Sequence, residues 1–292
     1  LASQPQSLLS AIAPVLSAAD VSLVNFEAAL GTKGSPQPKT YNFRVPESAL
    51  DALSAAGVDA VSMANNHGMD FGLVGLADSL TIKSRRGFPV IGVGGNADEA
   101  YAPFETEVNG QRIAVIAAND VFDDPLRTLW TAGPGKPGIA SAEEGSQDRL
   151  VKEVQKVRQR ADTVAVFLHY GAELQTCPNG RQQDLVRLLV AAGADMVVGG
   201  HAHRVQGAGY LGKAAVAYSL GNFIFPSGSA GGSETGVLVI TATGRQINQV
   251  EWKPAVIRGG VPYPLTGARA DSGTAHMAQL RQCAGLTEKA TP

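Results

Sequence analysis

Histidine, cysteine and charge are all scarce in this sequence. Its 292 residues include five histidines and two cysteines, and charged residues make up 17%. Net charge is −2, with no dense Lys/Arg cluster and no acidic run, so no nucleic-acid partner or bulk attraction to an anionic membrane is expected. No apolar run is long enough to span a bilayer. The opening "LASQPQSLLSAIAPVLSAAD" has no initiator Met and no basic leader. It reads as the interior of a longer protein, with any export signal or anchor upstream. Cys177 and Cys283 fit either two free thiols or a disulfide tying the tail to the body, and a disulfide would require an oxidising compartment.

The hydrophobic fraction of 44% suits a globular protein with a sizeable core. The pattern alternates strand and helix. "ADVSLVNFE", "VDAVSMANN" and "FPVIGVGG" are expected strands, separated by helices in "PESALDALSAAG" and "DFGLVGLADSLTIKSRRG". "PFETEVNGQRIAVIAAN" is a hairpin around Asn109-Gly110. Residues 125–145 are a Gly- and Pro-rich loop, either a lid or a plain surface connection. A helix in "SQDRLVKEVQKVRQRA", a strand in "DTVAVFLHYGAE", a helix in "NGRQQDLVRLLVAAGA" and a strand in "DMVVGGHAH" follow. Then the chain turns all-β. Residues 1–263 form the expected main domain, and 264–292 a polar tail packed on it. The order predicts an α/β protein with ligands outside the carboxyl ends of its strands.

Those ends hold Asn25 and Glu27, then Asn65, Asn66 and His67, then His169 and Glu173, then His201 and His203. Four of the five histidines fall there; only His276 lies in the tail. Singly, each has a plain reading: a hydrogen-bonded His169, Glu27 as a cap, Asn65-Asn66 as a turn. His201 and His203 together are different. In an extended segment, residues two apart point the same way, and both imidazoles would face one ion. Imidazole suits divalent transition metals such as Mn, Fe or Zn, carboxylates can bridge two ions, and a pair of ions can activate water against a phosphoester. No Cys lies in the cluster, which argues against a structural zinc site.

The segments "NFEAAL", "ANNHGMDFG", "HYGAE", "GGHAHRVQG" and "YSLGNFIF", in this order from about Ala19 to Phe225, resemble the CapA family. That family is associated with bacterial capsular poly-γ-glutamate and belongs to the calcineurin-like metallophosphoesterase superfamily. The resemblance implies an αββα sandwich of two mixed sheets flanked by helices, with a dinuclear metal site at the sheet ends. It implies metal binding by Glu27, Asn66, His169, His201 and His203. It makes His67 the catalytic group that contacts the oxyanion or protonates the leaving group. Asp70 and Glu173 would orient metal ligands, Asn222 would be structural or line the pocket, and Asn25 and Asn65 would support the ligands or the substrate. The family's opening Gly-Asp strand, a metal carboxylate, has no counterpart here. Phe26, Tyr170 and Ala202 stand where the family usually has Leu, Trp and Pro.

The resemblance therefore implies a metal-dependent hydrolase of the cell envelope, exported, acting on an anionic polymer or phosphoester, with an envelope polymer-synthesis complex as its expected partner. Two other readings stay open: an exported nucleotidase-like phosphoesterase, and a non-catalytic polymer-binding component with a vestigial site.

Overall fold

The computed structural model describes residues 8–226 and 229–291. Its first half begins with α1 (Ala13–Leu16), β1 (Leu23–Asn25), β2 (Ala29–Leu30) and β3 (Arg44–Val45). Then come α2 (Ser48–Ala55), β4 (Ala60–Ser62), α3 (Gly72–Arg86), β5 (Val90–Ile91) and β6 (Val93–Gly94). α4 (Ala97–Ala100) precedes the hairpin of β7 (Phe104–Val108) and β8 (Gln111–Asn119), and α5 (Arg127–Trp130) precedes β9 (Gly138–Ile139). The second half runs through α6 (Gln147–Arg158), β10 (Thr163–Tyr170), α7 (Gly180–Ala192) and β11 (Met196–His201). It closes with β12 (Ala208–Leu211), β13 (Ala214–Ala217), β14 (Glu234–Thr243), β15 (Gln246–Arg258), β16 (Val261–Pro264) and α8 (Ala268–Cys283).

The largest sheet has six strands in the order β12-β13-β11-β10-β8-β7. Its four inner strands are parallel, and each edge strand pairs antiparallel with its neighbour. Two three-stranded sheets accompany it, the parallel β1-β4-β5 and the antiparallel β14-β15-β16.

Strand periodicity divides the core in two. Along β8 and β10, Val115, Ala117 and Phe167 join a cluster with Val61, Val90 and Ile91 of the β1-β4-β5 sheet. Leu50 and Leu53 of α2 and Leu76 and Ile82 of α3 belong to the same cluster. The alternate residues Ala114, Ile116, Val164, Val166 and Leu168 pack with Leu150, Val154 and Val157 of α6 and Leu185, Val186 and Leu189 of α7. This is the helix–sheet–sheet–helix layering expected from the motifs, a mixed α/β fold. At about 25 cal/mol per Å² of apolar surface removed from water, burying one such Val or Leu contributes roughly 1.5–3 kcal/mol.

Local chemistry sets the boundaries. Asn179 caps α7 by accepting from the Gln182 N–H, while the Gln182 side chain accepts from the Asn179 N–H. Asn109 and Gly110 both have positive φ, which gives the β7–β8 hairpin the tight turn expected of that pair.

One expectation changes. Residues 125–145 are not a lid: Trp130 and Ile139 are fully buried, and β9 pairs antiparallel with β6. The tail contains the 16-residue α8, with Met277 and Leu280 buried against Val205, Ala208 and Trp252. Widely spaced apolar positions left that helix without a visible stripe. Cys177 and Cys283 form a disulfide, fixing the end of α8 to the segment that follows β10.

Candidate metal centre

Two of the parallel groups deliver the site, β1-β4 on one side and β10-β11 on the other. His169 follows the parity of Phe167 and points to the inner face at the end of β10, fully buried. His169 pairs in register with Gly200, and Tyr170 with His201. Asn25 ends β1, and Asn65 to His67 follow β4.

A hydrogen-bonded frame fixes these ends. The Asn25 amide donates to Glu27 Oε2 at 3.0 Å and lies 3.4 Å from His169 Nδ1. The Asn65 amide donates to Asn25 Oδ1 and to the Phe26 carbonyl, both at 3.0 Å, and its oxygen accepts from the His67 N–H at 3.0 Å. Asn25 and Asn65 therefore hold the backbone and carboxylate around these strand ends.

Asn66 Oδ1 lies 2.8 Å from His169 Nε2, and Glu27 Oε1 lies 3.6 Å from the same nitrogen. Ligand atoms of Glu27, His169 and His201 fall within 4.8 Å of one another, and so do those of Glu173, His201 and His203. The predicted residues thus converge. Glu173, expected to orient ligands, stands within reach of the same ion-binding space.

One detail of the expectation is corrected. His201 and His203 do not share an extended segment. His201 has φ 97° and His203 φ 52°, so the chain turns sharply at the end of β11. Non-glycine residues rarely adopt positive φ, and such strain costs about 1–3 kcal/mol each and gathers at functional sites. Ala202 is buried between them, and its carbonyl accepts from the Leu174 N–H at 2.7 Å. The turn, rather than strand alternation, brings the rings to 5.8 Å centroid separation.

The electrostatics suit a cation. Burial lowers the His169 pKa well below its usual value, with the His201 charge adding to it. Burial, then His203 and His67, lower that of His201 to about 4. Both imidazoles are neutral at pH 7 and present lone pairs. Burial raises the Glu27 carboxyl, opposed by His203 and His67. Glu27 Oε1 and His201 Nδ1 are buried without a hydrogen-bond partner among the described residues. An orphaned buried polar atom costs about 1–3 kcal/mol, and a bound cation is one partner that relieves such a cost. The donor set, two or three imidazoles with carboxylate and amide oxygens, fits Mn, Fe or Zn.

Around this set, His67 Nδ1 lies 2.6 Å from Asp70 Oδ2, and its ring packs 4.4 Å from Phe43. A carboxylate in that place accepts from Nδ1, which would leave Nε2 for other partners. His203 Nδ1 lies 2.7 Å from Asn222 Oδ1, and the Asn222 amide donates to the Gly232 carbonyl at 2.9 Å. Asn222 is thus a positioning group for His203. Sequence reasoning missed Phe43 beside His67, Phe225, whose ring stacks 6.0 Å from that of His203, and the ion pair of Lys39 with Asp123. Lys39 sits in "GSPQPKTYNF", whose Pro, Gly and Ser read as exposed loop, and nothing local reveals that its side chain is buried.

The layers and the strand-end donors together define a metallophosphoesterase fold. A solved phosphatase from Mycoplasma pneumoniae has the same fold, with a TM-score of 0.50 and 15% identity over 79% of this chain and 71% of that one. Residues 2–227 match the family described as bacterial capsule synthesis protein PGA_cap, and the chain belongs to that family. It is similar to the capsule biosynthesis protein CapA of Bacillus anthracis, with 29% identity over 88% of this chain and 63% of that protein. It is also similar to the PGA biosynthesis protein CapA of Bacillus subtilis, with 26% identity over 89% of this chain and 67% of the relative. The chain spans about two thirds of the length of these relatives.

Proposed function

We propose that the protein is a metal-dependent hydrolase of the cell envelope that acts on a poly-γ-glutamate-like polymer during its synthesis, anchoring or release. The observation that carries this reading is the convergence of Glu27, Asn66, His169, His201 and His203 around two buried atoms left without a hydrogen-bond partner among the described residues. The names of the two Bacillus relatives support the polymer setting. The disulfide supports export, because such bonds persist in oxidising compartments.

Glu27, Asn66, His169 and His201 would hold one ion, and His203 with Glu173 would supply donors for a second. Ions bound there would provide Lewis acidity and lower the pKa of a water. The chain's own residues do the rest. Asn25 and Asn65 hold Glu27 and the β4 end in place. His67, its Nδ1 held by Asp70, would take up at Nε2 a proton from the attacking water and pass it to the leaving group of a phosphoester or γ-glutamyl amide.

The test is metal content per chain, measured with a hydrolysis screen of phosphoesters and γ-glutamyl amides. About one to two transition-metal ions, lost with turnover in a His201→Ala, His203→Ala variant, are expected. Polymer binding that survives that variant without any turnover in the parent would overturn the hydrolase reading in favour of a binding component. Turnover of nucleotides alone would overturn the polymer assignment.

A further inference from the structure

The side chain of Lys39 is only 6% exposed. A buried cation is tolerated only when paired and hydrogen-bonded, so its partners show what it is for. Nζ lies 3.0 Å from Asp70 Oδ1 and 2.7 Å from Asp123 Oδ2. It donates to the backbone carbonyl of Asn66, and it sits 5.2 Å from the centroid of Trp130. Asp70 in turn uses Oδ2 for His67 Nδ1 and for the Phe43 N–H, both at 2.6 Å. One cation thus touches the carboxylate that orients His67 and the peptide unit that joins Asn66 to His67. It also ties the segment after β8, through Asp123, to the loop between β2 and β3.

We propose that Lys39 is a positioning residue of this centre: by pairing with Asp70 Oδ1 and donating to the Asn66 carbonyl it fixes the Asp70 carboxyl against His67 Nδ1, so that Nε2 is the ring nitrogen left for substrate. A purely structural lysine would need only to neutralise nearby acids. Lys39 does more, because its third contact is the Asn66 carbonyl, which lies in the same short stretch as a metal ligand and the proton-transfer residue. The catalytic consequence rests on the hydrolase reading; the state of His67 does not.

The experiment compares the parent chain with Lys39→Arg and with a Lys39→Met, Asp123→Asn variant, which removes the second carboxylate left unpaired. Imidazole ¹⁵N resonances of His67, assigned with His67→Gln, report its tautomer in metal-free protein. The Nδ1–H pattern is expected in the parent, lost in the double variant and restored in Lys39→Arg. Turnover, where the parent shows any, falls about 10–100-fold in kcat with KM little changed, the range for removing a partner behind a metal site. In the parent alone, the Lys39 ammonium should give a ¹⁵Nζ signal at neutral pH, because burial slows its exchange with water. A folded double variant that keeps the Nδ1–H pattern of His67 overturns the proposal, and so does a rapidly exchanging Lys39 ammonium in the parent. Absence of turnover in the parent counts against the hydrolase reading and leaves the tautomer result to judge Lys39.

Discussion

Removing the Cys177–Cys283 bridge should destabilise the protein by an amount the structure sets. The two half-cystines lie 106 residues apart in sequence, and their Cα atoms are 5.7 Å apart, within the usual range for a disulfide. Opening a ring of that size frees the unfolded chain and lowers stability by about 4.7 kcal/mol in the chain-entropy description. For 292 residues, at about 2.1 cal/mol/K of unfolding entropy per residue, that lowers the midpoint by roughly 8 °C. The folded state should hardly change. Met277 and Leu280 still seal α8, and the Gln206 amide still donates to the carbonyl of Gln175 near Cys177. The assay is urea unfolding of a Cys177→Ser, Cys283→Ser variant against the parent at 25 °C, both metal-free, with calorimetry for the midpoint. A loss below about 1 kcal/mol would refute the reasoning, since the unfolded ensemble would then gain almost nothing from the open ring.

Three further outcomes are expected. Asn222→Ala should weaken zinc or manganese binding about 10–100-fold by releasing the His203 ring, with thermal stability near that of the parent; titration calorimetry checks this, and unchanged affinity would deny Asn222 its role. Metal-free protein should lose stability on acidification, because folded His201 resists protonation until about pH 4 while the unfolded chain takes up the proton from its ordinary value of 6.5. Stability is fully present above about pH 6.5 and declines towards pH 4, by about 3 kcal/mol for this group; an identical pH slope in His201→Gln would contradict it. Gly199→Ala should destabilise by about 1–3 kcal/mol, because the added Cβ would lie 2.2 Å from the Tyr170 ring and 2.7 Å from the Tyr218 carbonyl; an unchanged urea midpoint would count against that packing.

Much of the centre was legible because its donors are rare residues placed where strands end. Histidine is so scarce that four of them gathered at such ends point to one shared ligand. The α/β class followed from apolar strands alternating with helices, and the two-sheet layering from the family resemblance of the motifs. The rest depended on partners distant in sequence. Lys39 meets Asp70 and Asp123 only after two loops close on each other. The turn at His201 and His203 has no glycine to announce it, and Gly199 and Gly200 misleadingly suggest an extended run up to the imidazoles. α8 escaped notice because its buried contacts are few, Met277 and Leu280 among mostly exposed neighbours. Loop 125–145 has the composition of a flexible connection, yet Trp130 anchors it in the core.

The two-residue repeat of β10 has a consequence for how this family can vary. His169 faces the centre only because it is an even number of residues from Phe167 and Ala165, whereas Leu168 and Tyr170 face α6 and α7. A substitution at any of these positions leaves that count intact. One residue inserted within the strand reverses it for everything downstream, carrying the imidazole into an apolar layer and a phenol ring towards the candidate centre. Exchanging a side chain along this strand therefore keeps the aim of its neighbours, whereas changing its length does not.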